Sequence, residues 1–271
     1  MDLEVRGLTF DADVAGPEDG PVVLLLHGFP QHRGEWELVG PALREAGLRT
    51  VAFDQRGYSP GARPDDVAAY RISECAADAL AVLDALGAEQ AHIVGHDWGA
   101  AVAWYLAGVH PDRTRTLTAL SVPHLAAFGS AIRDDADQRE RSSYMDFFRT
   151  PQAEDVILED DGLRLRAMFL GCPSDRVDSY VTPMLDRARL TGALNWYRAM
   201  GHRDFARLGP VAVPTTFIWS DEDVAIGRTA AADCARFVTG EYAYVELTGV
   251  SHWIPDAAPD RVAAAILARA T

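Results

Sequence analysis

Apolar residues recur along this chain in continuous runs rather than in alternation: "PVVLLLH" (21–27), "LRTVAFD" (48–54), "AHIVGHD" (91–97), "RTLTALSV" (115–122), "PTTFIWS" (214–220) and "YAYVELT" (242–248). Strands covered by helices on both faces carry such runs. Between most of them stand helical stretches, as in "SECAADALAVLDALGA" (73–88) and "AAVAWYLAGV" (100–109). Strand and helix in alternation predict an α/β fold with a mostly parallel sheet flanked by helices. The rhythm stops between about 123 and 207, where "AIRDDADQRERSSYMDFFRTPQAEDVILEDDGLRLRAMFLG" and its continuation read as helices and turns without a buried strand. Strand-like sequence resumes after the connector "RLGPVAVP". The expected organisation is a core domain from residues 1–122 and 208–271, interrupted by a helical cap over residues 123–207.

Composition narrows the chemistry. The 271 residues are enough to bury a large core without disulfide staples. There are 40 acidic and 25 basic residues, a formal net charge of −15, with the acids scattered, so neither a phosphate-binding face nor a nucleic-acid partner is expected. All 25 basic residues are arginine. Without an amine side chain, Schiff-base catalysis and the phosphate-loop lysine are excluded. Cys75, Cys172 and Cys234 are far apart and odd in number, which fits packed thiols better than a disulfide framework or a zinc site. The start "MDLEVRGLTF" lacks a leader pattern, and no apolar run approaches the ~20 residues of a membrane helix. A soluble, cytoplasmic protein without a membrane partner is the expectation.

The candidate chemistry centres on "HIVGHDWGAAVAWYLA" (92–107), where a strand-like run meets a helix-like one across "GHDWGA". A turn this tight strains its apex and tolerates only small neighbours, which Gly95, Gly99 and Ala100 supply. Asp97 occupies the apex, where a serine is usual in hydrolases. The plain alternative is a helix N-cap. A carboxylate at a helix N-terminus is already anionic at neutral pH and can attack an sp3 carbon without a base. The ester so formed must then be hydrolysed, which needs a histidine base, an acid that orients it and donors for the oxyanion.

Those partners follow in the chain order nucleophile, acid, histidine. His252 in "GVSHWIP" lies in a loop after a strand, where a base can overhang the sheet. His27 and His96 flank motifs and are expected to brace loops, His92 begins a strand, and His32, His110, His124 and His202 sit in polar or turn contexts. "FIWSDEDVAIG" offers Asp221, Glu222 and Asp223 as the orienting acid. In "LLLHGFP", Gly28 lets the backbone approach closely, so that the Phe29 and Trp98 amides form an oxyanion hole.

With "HGFP" (27–30), "DQRGYS" (54–59), "GHDWGA" (95–100), the acidic loop and "SHW" (251–253), the chain resembles the α/β-hydrolase superfamily over nearly its whole length. The resemblance implies the α/β-hydrolase fold and selects Asp223, four residues after Trp219, although Ser220 stands where that family usually has glycine. Aspartate at the elbow is similar to epoxide hydrolases and dehalogenases. Soluble epoxide hydrolases resemble this chain further in two cap motifs, "YMDFFRTP" and "LNWYRAM", which would make Tyr144 and Tyr197 the proton donors to the epoxide oxygen. Each tyrosine alone reads equally as a packed cap residue. Fluoroacetate dehalogenases typically carry arginine where Trp98 stands, and haloalkane dehalogenases usually have asparagine where Phe29 stands. The segment "RGYSPGARP" departs from the usual Arg-Gly-Tyr-Gly-x-Ser, which points to a reshaped loop after Tyr58. The resemblance thus implies a cofactor-free, metal-free epoxide hydrolase that takes a small-molecule epoxide and water to a vicinal diol, with Phe29, Trp98 and Trp253 lining an apolar pocket. A haloalkane dehalogenase and a non-catalytic ligand-binding relative stay as alternatives, and a homodimer stays open.

Overall fold

The computed structural model describes residues 1–201 and 208–270. Eight strands form one sheet: β1 (Asp2–Val5), β2 (Leu8–Ala15), β3 (Val22–Leu26), β4 (Arg49–Phe53), β5 (Ala91–His96), β6 (Thr114–Leu120), β7 (Thr215–Glu222) and β8 (Tyr242–Ser251). Their spatial order is β1-β2-β4-β3-β5-β6-β7-β8. The six strands from β3 onward are the six continuous apolar runs, and their mutual pairings are parallel. The sequence reading did not place β1 and β2, which add an antiparallel edge. Their polar alternation, as in Asp11, Asp13 and the half-buried positions around them, belongs to a solvated edge rather than to a covered strand.

Side-chain alternation distributes the core between two layers. Val23 and Leu25 of β3 point to one face with Val94 of β5, Leu120 of β6 and Ile218 of β7, where α1 (Gly40–Glu45) and the C-terminal helix Pro259–Ala270 cover them through Leu43, Val262 and Ile266. Leu24 and Leu26 point to the other face, against α2 (Ile72–Ala85) and α3 (Trp98–Val109). α3 is apolar all round because it is buried between sheet and neighbours.

Between β6 and β7 the chain leaves the sheet for helices α4 (Leu125–Asp134), α5 (Ala136–Arg141), α6 (Tyr144–Phe148), α7 (Ala153–Met168), α8 (Ser174–Met184) and α9 (Arg187–Ala199). His202 and the end expected for the insert at residue 207 lie outside the described residues. Polar contacts fasten these helices to the core. Trp196 of α9 donates its indole N–H to the Arg56 carbonyl at 2.8 Å, Arg189 of α9 pairs with Asp54 at 3.0 Å, and Arg176 of α8 pairs with Asp256 at 3.0 Å. In the altered segment after Tyr58, Pro60–Ala62 form one turn of 3-10 helix, and the Arg63 guanidinium donates to the Gly57 and Tyr58 carbonyls. Among the described residues no helix is long and apolar enough to cross a membrane, and no group of histidine, cysteine and acidic residues is arranged to hold a metal ion.

Candidate active site

The crevice lies where the sheet order reverses, at the carboxyl ends of β3 and β5, the place where parallel sheets leave room for a ligand. β5 ends at His96, and Asp97 turns the chain into α3 with φ 50° and ψ −118°, a left-handed conformation that costs a non-glycine residue energy. The turn closes because its neighbours are small. A Cβ on Gly99 would sit 2.0 Å from the Leu26 carbonyl oxygen, so only glycine lets α3 start this close to β3. Gly28 does the same from the facing loop, where a Cβ would meet the Asp97 Cβ at 2.4 Å. That approach lets the Phe29 amide donate to Asp97 Oδ1 at 2.8 Å. Trp98 is the first residue of α3, whose amide has no intrahelical acceptor, and its ring lies edge-on to Tyr197 at 5.1 Å.

His252 follows β8 and faces the same carboxylate, its Nε2 3.7 Å from Asp97 Oδ2. Its Nδ1 contacts Asp223 at 3.0 Å. Asp223 is buried at the end of β7, held by the Ala225 and Ile226 amides, while Trp219 closes the loop by donating its indole N–H to the Ile226 carbonyl. Asp221 and Glu222 are exposed. Ser220, which departs from the family's glycine, donates its hydroxyl to the Ser251 carbonyl at 2.9 Å and so ties β7 to the loop that carries His252. Histidines 27 and 96 brace loops as expected. His27 accepts the Gln55 amide, and His96 Nε2 lies 2.9 Å from the His252 carbonyl.

The inserted helices bring both tyrosines to this point. Tyr144 opens α6 and Tyr197 lies on the inner face of α9, with ring centroids 6.2 Å apart. Both line, with Asp97, a cavity of about 340 Å³ whose wall also includes Phe29, His252 and Trp253. A side pocket of about 30 Å³, bounded by Trp98, Val122 and Leu125, opens on the same three residues. A more polar groove of about 630 Å³ runs along Asp13, Arg33 and Asp54, and neither Asp97, Asp223 nor His252 lines it. Volume alone therefore does not mark this site.

Two buried residues at the site gave no signal in the sequence. Ser121, with φ 66°, donates its hydroxyl to Asp223 at 2.7 Å and lies 3.0 Å from His252 Nδ1. Glu35 lies fully buried behind the turn, its Oε2 3.5 Å from the Gly28 amide and 3.4 Å from His96 Nδ1. Neither belongs to a motif, since each reaches the site only through the packing of β6 or of the loop before α1.

Burial sets the charges. Desolvation works against a charged His252, but the carboxylates of Asp223 and Asp97 outweigh it and push the imidazole up to about 9. Asp223 is likewise desolvated, and His252 holds its carboxyl below the usual range. Glu35 is pushed well up by burial and by Asp256. Burial pushes both tyrosine phenols up, with Tyr144 and Asp97 adding to it for Tyr197 and Asp97 and Asp223 for Tyr144, so both stay protonated at neutral pH.

Elsewhere, desolvation lowers His27 to about 3 and His92, His96 and His124 to about 4. The unfolded chain takes up these protons near 6.5 while the native state refuses them, so stability is lost as pH falls from 6.5 towards 4. Each histidine contributes about 1.4 kcal/mol per unit of separation. Glu35, raised by burial and so protonated in the native state before the unfolded chain takes up its proton, works in the opposite direction and offsets part of this loss. Urea midpoints at pH 7, 6 and 5 should fall steadily, and His124→Asn should flatten the decline. A flat profile above pH 5 would show that these imidazoles are not buried neutral.

The alpha/beta hydrolase fold family model matches residues 21–259. The chain belongs to the α/β-hydrolase superfamily. It is 32% identical to the AB hydrolase superfamily protein YfhM of Bacillus subtilis, over 93% of this chain and 91% of that one. It is also 32% identical to epoxide hydrolase A of Mycobacterium tuberculosis, over 98% of this chain and 95% of that protein. Among solved structures, one described with novel epoxide hydrolases from metagenomes of hot environments superposes with a TM-score of 0.90 at 29% identity, covering 100% of this chain and 98% of that one.

Proposed function

We propose that this protein hydrolyses an epoxide to a vicinal diol through an ester on Asp97. The observation that carries the reading is a carboxylate at a strained turn, with one oxygen held by the Phe29 amide and the other facing His252, and with the buried Tyr197 and half-buried Tyr144 across the same cavity. Similarity to epoxide hydrolases over nearly the full chain supports it.

Asp97 Oδ2 attacks one ring carbon, and the carbon–oxygen bond of the ring breaks. Tyr144 and Tyr197, on the inserted cap, hydrogen-bond the departing oxygen and supply its proton. Oδ1 becomes the ester carbonyl oxygen. In the free enzyme the neighbouring carboxylates keep His252 an imidazolium at neutral pH, unfit to act as a base. Esterification removes the Asp97 charge, and with it one of the influences that hold the proton on His252. The imidazolium then gives its proton back to the phenolate left by ring opening, which restores the tyrosine and frees His252 as a base once the ester has formed. His252, oriented by Asp223, then takes a proton from water, which adds to the ester carbonyl. The Phe29 and Trp98 amides hold the oxyanion until the bond between the ester carbon and Oδ2 breaks, His252 returns its proton to Oδ2, and the diol leaves with that oxygen. Residues of the chain supply each role, so the reading calls for no cofactor or metal.

A single turnover in heavy-oxygen water tests this route. The label is expected in the Asp97 carboxylate and absent from the first equivalent of diol. Label in the diol alone would mean direct attack of water on the epoxide, and halide release from haloalkanes without any diol formation would replace the substrate class.

A further inference from the structure

We infer that Arg164 selects epoxides whose apolar chain ends in a carboxylate, with the epoxide near the opposite end. The inference rests on the epoxide-hydrolase reading and names its substrate class.

The cavity of about 340 Å³ has two distinct ends. At the inner end Asp97, Tyr197 and His252 are almost fully buried, whereas Val224 at the outer end is 53% exposed. Phe147, Phe148, Ile157 and Met168 line the stretch between them with apolar surface. Arg164 is the arginine on this wall, and it is exposed, which places it at the mouth. It follows an interruption of α7 at Glu159–Gly162, and the next residue, Leu165, is fully buried, so the backbone that carries the guanidinium is anchored.

In a chain of net charge −15 an arginine has many carboxylates to choose from. Its neighbours on the inserted helices are paired: Arg166 with Asp178, Arg187 with Asp155 and Arg198 with Glu154. Arg164 makes no hydrogen bond or ion pair among the described residues, although Glu159, Asp160 and Asp161 stand exposed just before it. An unpaired guanidinium on the cavity wall has its donors free, and their fork geometry fits a carboxylate.

Charge also sets the direction of entry. The inner end holds the Asp97 and Asp223 carboxylates against a single imidazolium and so disfavours an anion, whereas Arg164 can pair with one at the outer end, so a carboxylated chain enters epoxide first. Beyond Asp97 the side pocket offers about 30 Å³, far less than the roughly tenfold larger cavity on the Arg164 side. The substituent on the far side of the epoxide is accordingly small, and the long substituent runs towards Arg164.

The test compares terminal epoxides of one chain length that end in a carboxylate, a methyl ester or a methyl group, with the wild type, Arg164→Gln and Arg164→Lys. In low salt the wild type is expected to favour the acid over its ester about fivefold in KM, equal to ~1 kcal/mol and appropriate to an exposed ion pair. Arg164→Gln should erase that preference while leaving kcat and ester turnover unchanged, Arg164→Lys should restore part of it, and added salt should weaken it. Equal use of acid and ester by the wild type, or equal losses on both with Arg164→Gln, would overturn the inference. If no epoxide is opened, the catalytic reading fails separately, and calorimetry then decides this one: a saturated carboxylate should bind several-fold more weakly to Arg164→Gln than to the wild type, and unchanged binding would refute it.

Discussion

Replacing His252 with glutamine should leave an enzyme that alkylates itself and stops. The first step needs only the Asp97 carboxylate and the two phenols, so an added epoxide is expected to appear as a stable mass increase on the peptide that contains Asp97. Turnover should fall by about 10²–10⁴-fold, the range that loss of a positioned base produces. The fold should survive, because Asp223 keeps the Ser121 hydroxyl and the Ala225 and Ile226 amides as partners when the imidazole is gone. Asp97→Asn is the control, with no adduct expected. Intact mass unchanged after incubation of His252→Gln with a reactive epoxide, while the wild type makes diol, would remove the ester from the mechanism.

The reverse defect is expected from Tyr144→Phe combined with Tyr197→Phe. An alkoxide leaves poorly without a proton, and this variant lacks both donors. A positioned proton donor contributes about 10²–10⁴-fold, and with two phenols sharing that role each single variant should retain measurable activity and the double variant fall below either. Both rings remain to pack against Phe148, and Tyr197 keeps its contacts with Phe29 and Trp98, so stability should change little. Pre-steady-state kinetics separates the two defects: His252→Gln forms the ester and keeps it, whereas the double variant never forms it. An undiminished burst of ester in the double variant would assign the proton to another group.

These defects divide the site as the chain itself divides it. Asp97 and His252 stand out in the pattern itself, Asp97 between two glycines at a tight turn and His252 in a loop after a predicted strand. The acidic loop offers three carboxylates, and only resemblance selects Asp223. Tyr144 and Tyr197 stand 53 residues apart on separate helices, in segments whose spacing gives no geometry, and only resemblance singled them out. Ser121 and Glu35 escaped altogether, being a polar residue at the end of a covered strand and an acid in a loop without a motif. Arg164 drew no notice because, in a chain with 25 arginines, one guanidinium looks like another until its partners are known.

The hydrophobic pattern by itself marked the runs that become β3 to β8, the break for the inserted helices and the turn that bears Asp97, because apolar runs and paired glycines are local consequences of packing into a sheet and of turning tightly. Even so, β8 forms the far edge and is covered at few of its positions. Tertiary structure alone decided the antiparallel edge of β1 and β2, the meeting of the two phenols over one carboxylate, the proton that His252 holds and the absence of a partner for Arg164 among the described residues. Those properties depend on distances between segments far apart in the chain and on what each burial takes away from water, and no local pattern records either.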